Sequence, residues 1–180
     1  MARFTAFSDD CETIGQIHLS LFQSINYENF SDYLAKHRLK EIDPGKWYPM
    51  QMILDLFSDI VEQGGGMMDL VSIGLKIMEL AVLPPPVEAM PFGEVLMQWN
   101  EIYHINNRGT DPGGFVTEKI SDTHYKIIAR QPYPDDYTYG VLYGGAKRWL
   151  PQGTQFTVYY DPDLPRREDG GDVTVIHAEW

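Results

Sequence analysis

The chain has 180 residues, 43% of them hydrophobic and 22% charged, which is enough apolar material for one domain to bury a core without disulfide support. Its 26 acidic against 14 basic side chains give a formal net charge of −12, a field that repels phosphate backbones and argues against nucleic acid as a partner. A single cysteine, Cys11, excludes an internal disulfide and a thiolate metal cage, no stretch reaches the ~20 apolar residues of a membrane span, and residues 1 to 10 lack the apolar run of a signal, so a cytoplasmic protein is expected.

Thr13 to Ile25 mixes two periods: Ile17, Leu19 and Leu21 alternate, while Ile14, Ile17, Leu21 and Ile25 fit a helix, and helix is expected. A short polar helix is expected over Tyr27 to Leu39, interrupted at Glu41 to Gly45 because Pro44 disfavours helix at the residue before it. From Pro49 to Glu62 the pairs Met52/Ile53, Leu56/Phe57 and Ile60/Val61 recur every four residues, opposite Asp55, Ser58, Asp59 and Glu62, which predicts an amphipathic helix with proline in its first turn. Gly64 to Gly66 would end it. A second helix over about Asp69 to Val82 places Leu70, Val71, Gly74, Ile77, Met78 and Ala81 on one stripe, and the short link makes the two helices antiparallel neighbours. Pro84 to Pro86 argues against helix; Pro91 opens the next one, which is expected to run without a break to a point before Gly109 with Phe92, Val95, Leu96, Trp99, Ile102 and Tyr103 as its stripe.

Beyond Asp111 to Gly114, a turn sequence, the pattern changes to strands. Phe115 to Ile120 and His124 to Arg130 flank Ser121-Asp122-Thr123 as a hairpin with Tyr125, Ile127 and Ala129 inward. Asp135 to Leu150 is predicted as a helix, in which Gly140 and Gly144 make a smooth strip for close approach to a sheet. Gln155 to Tyr160 and Val173 to Trp180 supply the last strands around a polar loop. The expected architecture is α+β: a single domain over 1–180, helical over 10–106 and sheet-bearing over 114–180. The helical half packs on a C-terminal four-stranded antiparallel sheet of strand-strand-helix-strand-strand order.

The residues spell out no catalytic mechanism. None of the five histidines (His18, His37, His104, His124, His177) is offset from another by three or four residues, and there is no His-Glu-x-x-His or Cys-x-x-Cys, so no metal site is expected. No Gly-x-Ser-x-Gly elbow occurs. The carboxylate pairs Asp9/Asp10, Asp135/Asp136 and Asp161/Asp163 sit where capping and turn formation account for aspartate. The glycine triplet lacks the Gly-Lys-Ser/Thr of a phosphate cradle.

Lys46-Trp47-Tyr48-Pro49 heading an amphipathic helix, Asp69-Leu70-Val71-Ser72-Ile73-Gly74 in the next, and Tyr137-Thr138-Tyr139-Gly140-Val141-Leu142-Tyr143-Gly144 between two pairs of strands carry a resemblance. In that order the chain, from about Thr13 to Trp180, resembles haem nitric-oxide-binding domains, 4-vinyl-reductase-type ligand-binding domains and vesicle-tethering subunits of the transport-particle class. The resemblance implies a pocket for an apolar or aromatic small molecule between the central helices and the sheet, with Trp99, Tyr103, Tyr125, Tyr139 and Trp149 as candidate lining; the same five residues are equally suited to solid core. The haem branch carries a Tyr-x-Ser-x-Arg motif before the glycine-bearing helix; here those places hold Ile128, Arg130 and Pro132, so the motif is gone. His104 remains the candidate axial ligand should haem be held.

Three readings follow. The first is a non-enzymatic sensor or ligand-binding module that passes the state of its ligand to a partner protein, as a homodimer. The second is a protein-interaction domain with a packed interior and no ligand. The third is a haem-binding gas sensor or an enzyme acting on a tetrapyrrole or aromatic substrate, suggested by the reductase-related branch alone.

Overall fold

The structure is a computed structural model that describes residues 3–24, 42–62 and 67–180. It is α+β, with seven α-helices and two antiparallel sheets among the described residues. The helix expected over Tyr27 to Leu39 and the glycine triplet at Gly64 to Gly66 lie outside the described residues.

The residues of mixed periodicity after Thr13 (Ile17, Leu19 and Leu21) all fall in a helix, as expected, but a short strand precedes it. Strand β1 (Glu12–Ile14) runs directly into helix α1 (Gly15–Ser24). Strand β1 is fixed from both sides by β2 (Trp47–Pro49) and β3 (Asn107–Arg108), giving a three-stranded antiparallel sheet of order β2-β1-β3. Strands of two and three residues are too short to show a period, which is why helix alone was expected there.

Helix α2 (Met50–Glu62) buries Ile53, Leu54, Leu56, Phe57 and Ile60, as its four-residue spacing dictates. Helix α3 (Met67–Leu80) follows. The triple proline does not exclude helix: Pro84 caps a single turn, α4 (Pro85–Glu88), because prolines in the first turn give up N–H groups that have no intrahelical partner. The next stripe is broken rather than continuous, into α5 (Phe92–Met97) and α6 (Trp99–Asn106). At Gln98 (φ −101°, ψ 13°) the backbone leaves helical geometry, and its N–H bonds the Glu94 and Val95 carbonyls at 3.2 and 3.1 Å. Phe92, Val95, Leu96 and Trp99 are buried on either side of the break.

Strands β4 (Gly114–Ser121) and β5 (His124–Arg130) form the hairpin, helix α7 (Asp135–Trp149) follows, and β6 (Thr157–Tyr160) and β7 (Thr174–Glu179) close a four-stranded sheet of order β4-β5-β7-β6. Tyr125 opposes Ala178 and Ile127 opposes Ile176, all four buried on one face.

Helix α7 carries the glycine strip, yet the strip meets a helix and not a sheet. A Cβ at Gly140 would strike the Val71 carbonyl, one at Gly74 the Tyr137 carbonyl, and one at Gly144 would lie 2.8 Å from the Met78 Cβ. Three glycines thus bring the α3 and α7 backbones into direct contact. The acidic start of α7 differs from expectation as well: Pro134 is its N-cap, without a side-chain cap. Asp135 instead accepts from Thr174 Oγ1 (2.7 Å) and the Glu168 amide (3.0 Å), while Asp136 accepts from Tyr160 (2.8 Å) and Arg166 (3.1 Å). These carboxylates anchor the helix to the C-terminal loop.

The interior comprises two apolar clusters. One gathers α1, α2 and α3 around Leu21, Phe57 and Ile73 with Tyr133 and Tyr137; the other gathers α5, α6 and the sheet around Phe92, Leu96, Trp99 and Ile127. Val141 packs against both. Among the described residues no helix is long and apolar enough to cross a membrane.

Candidate functional site

A cavity of about 110 Å³ lies at the junction of the two clusters. Its wall is apolar: Ile17 from α1, Ile77 and Met78 from α3, Trp99 and Ile102 from α6, and Val141 from α7. Its polar end comprises Asn106, Asn107, Gln131, Tyr133 and Thr138. No charged side chain belongs to the lining among the described residues.

Most of the polar end is already committed to internal hydrogen bonds. The Tyr133 hydroxyl donates to Asn107 Oδ1 (2.7 Å), the Thr13 hydroxyl donates to the same oxygen (3.1 Å), and the two hydroxyls lie 2.9 Å apart. Asn107 Nδ2 donates to the Tyr103 carbonyl (3.0 Å). Gln131 accepts from the Tyr133 amide (2.6 Å) and donates to Thr138 Oγ1 (2.7 Å). The pattern is what a buried polar set requires, since an unpaired group there costs about 1–3 kcal/mol. Burial raises the phenols of Tyr103, Tyr133 and Tyr137 above their ordinary range, so each remains a neutral hydroxyl.

The candidate residues divide. Trp99 and Tyr103 belong to the cavity lining, and the Tyr103 hydroxyl donates to the Pro112 carbonyl at 2.6 Å. Tyr125 stacks on Trp180 with ring centroids 5.5 Å apart and planes 4° apart. Tyr139 donates to the Val158 carbonyl (2.9 Å), and Trp149 stacks on Phe92 while donating to the Val87 carbonyl (3.2 Å). These last three pack in or against the sheet-side cluster and not around the cavity. Asn107, Gln131 and Thr138 had no sequence signal, because each acts through a partner brought near by folding.

His18 on α1 is a second feature that spacing did not single out. It is 1% exposed, follows Ile17 of the cavity wall, and packs edge-on against Tyr48 at 5.6 Å. Neither ring nitrogen has a hydrogen-bond partner among the described residues. Burial therefore pushes its pKa down to about 4, and the ring is neutral at pH 7.

A haem does not fit these residues. Ligand pockets for drug-sized molecules measure about 300–1,000 Å³, and a haem is no smaller than such ligands. Among the described residues the lining contains no histidine. His104 is exposed, with its Nδ1 2.8 Å from the Asn100 carbonyl. Arg130 is also exposed, held in a fork by Asp111 at 2.8 and 2.9 Å and stacked over Phe7.

No family model matches the sequence, and no curated protein matches it either. Solved structures do match in fold. One, from an investigation of haem distortion in the H-NOX family, has 13% identity and a TM-score of 0.68 over 92% of each chain. An oxygen-binding H-NOX domain related to soluble guanylate cyclases, in its oxygen complex, has 15% identity and a TM-score of 0.65 over 92% of this chain and 91% of that one. A variant of the T. tengcongensis H-NOX has 14% identity and a TM-score of 0.64 over 92% and 93%. Identities this low carry no residue roles across, but the agreement spans nearly the whole of both chains: this protein has an H-NOX-like fold.

Proposed function

We propose that the protein is a non-enzymatic sensor or ligand-binding module whose cavity takes an apolar or aromatic small molecule and whose state is passed to a partner protein, in the cytoplasm and as a homodimer. The observation that carries this reading is the cavity of about 110 Å³ with an apolar wall and no charged lining residue. An apolar engineered cavity of about 150 Å³ stays dry and takes up benzene, so the volume here suits a molecule of about one ring. Trp99 and Tyr103 are the aromatic contacts we assign to the ligand. The oxygen-binding role of an H-NOX domain with the same fold supports a binding function over a catalytic one.

Thermal unfolding with toluene, indole and cyclohexane tests the proposal. At least one should raise the midpoint in a concentration-dependent way. Val141→Phe, which fills the cavity, should abolish the shift while the variant remains folded. If none shifts the midpoint and the protein excludes apolar dyes, the packed interaction domain is the better reading; the exposed apolar side chains Val82, Val116 and Ile120 are the surface that reading would use.

A further inference from the structure

Among the described residues three tyrosines border the cavity, and their hydroxyls are not equivalent. Tyr103 donates to the Pro112 carbonyl at 2.6 Å, and Tyr133 donates to Asn107 Oδ1 at 2.7 Å while facing the Thr13 hydroxyl. The Tyr137 hydroxyl has no hydrogen-bond partner among the described residues, and burial is the one influence on its acidity. Nor can Tyr137 swing away to find a partner. It lies in the first turn of α7, where a Cβ on Gly74 of α3 would strike its carbonyl, and its ring packs against Phe57 (centroids 4.8 Å apart) and Tyr133 (5.7 Å). Its oxygen is not sealed in packing as both ring nitrogens of His18 are, and the open space beside Tyr137 is the cavity.

From this geometry we propose that the Tyr137 hydroxyl is the polar contact of the cavity's ligand, and that the ligand is a neutral one-ring aromatic molecule with a single hydrogen-bonding oxygen, a phenol or an aryl carbonyl compound. The inference rests on the cavity being a ligand site and narrows its occupant from apolar molecules at large to this class. A hydroxyl held in a dry interior without a partner is unfavourable, and a ligand oxygen that accepts from it relieves that state, which a bare hydrocarbon does not. The hydroxyl can also accept, so a phenol is served by either direction of the bond.

The rest of the lining fixes the other properties of the ligand. Ile17, Ile77, Ile102 and Val141 offer dispersion contacts alone and Trp99 adds an aromatic face, which suits a ring. Asn107, Gln131 and Thr138 are tied to one another's neighbours and to Tyr133, so a second buried polar group on the ligand would find no free partner there. Asn106 is half-buried and can turn its amide to solvent. No charged side chain belongs to the lining among the described residues and the Tyr137 phenol stays neutral, so a carboxylate would enter without a counter-ion and is excluded.

Binding of toluene, phenol and benzoate to the full chain and to its Tyr137→Phe variant, measured by calorimetry, tests the proposal. Toluene and phenol have nearly the same shape, so the difference between them isolates the oxygen. Tyr137→Phe should weaken phenol binding about 3- to 10-fold, the worth of one neutral hydrogen bond, and leave toluene unchanged. Benzoate should not bind. Because no described group bonds the Tyr137 hydroxyl, the variant should unfold at the same midpoint as the parent or higher, whereas the loss of a purely structural tyrosine would weaken both ligands alike. In protein carrying ¹³C at tyrosine Cζ, phenol should move the Tyr137 signal further than those of Tyr103 and Tyr133, a readout that needs no variant. Equal effects of Tyr137→Phe on the two ligands, a Tyr137 signal that phenol leaves in place, or benzoate binding as tight as that of phenol would overturn the assignment while the cavity stands as a ligand site. Binding of neither phenol nor toluene by the unaltered protein would overturn both.

Discussion

Helix α7 has two neighbourhoods that differ in how space is used. Where it faces α3, Gly74, Gly140 and Gly144 let two backbones touch, and nothing larger than hydrogen is tolerated. One residue further on, Val141 borders a cavity among large side chains. Small residues therefore accompany the close packing and large ones surround the void, the reverse of what side-chain volume alone suggests. Cavities arise where rigid backbones and branched or aromatic side chains cannot interlock, not where the sequence is small.

The largest test of this contrast is Gly140→Ala. Its added methyl meets the Val71 carbonyl, and neither backbone can withdraw without disturbing the other two glycine contacts. Overpacking of this kind outweighs the helix propensity gained by alanine, and a loss of about 3 kcal/mol or more in denaturant unfolding is expected. Retention of full stability would show that the seam is looser than its geometry implies.

Acid titration sharpens the other half. The folded pKa of His18 is about 4 against an ordinary 6.5, so the unfolded chain takes up a proton between those values and the folded one does not. This contribution is fully present above pH 6.5 and is lost as the pH falls towards 4, up to about 3 kcal/mol. His18→Leu should remove that part of the pH dependence. An unchanged slope would mean that water reaches α1 beside the cavity wall. The smallest effect is Val141→Ile, where a methyl added at the cavity should change stability by less than about 1 kcal/mol, in contrast to the methyl added at its neighbour.

The sequence made the α+β class legible because long elements repeat their own period: α2 through pairs four apart, β5 through Tyr125, Ile127 and Ala129. It did not reveal β2 or β3, which are set by pairing to β1 and not by any pattern of their own. At the cavity, Trp99 and Tyr103 were legible as aromatic residues on a helical stripe. Their polar companions were not, since Thr13 and Tyr133 lie 120 residues apart and only the fold brings them together.

The shared oxygen of Asn107 has a mechanical consequence. Thr13 belongs to β1, Asn107 to β3, and Tyr133 to the segment that leads into α7, so one buried knot couples the small sheet to the long helix. It contains no slack: shifting Tyr133 by an ångström would either drag both strands along or strand a polar atom in a dry interior. Any event that pushes on the floor of the void is thereby felt one residue along β1 and β3, where Arg108 caps the Trp47 ring and clasps Glu12 at the surface.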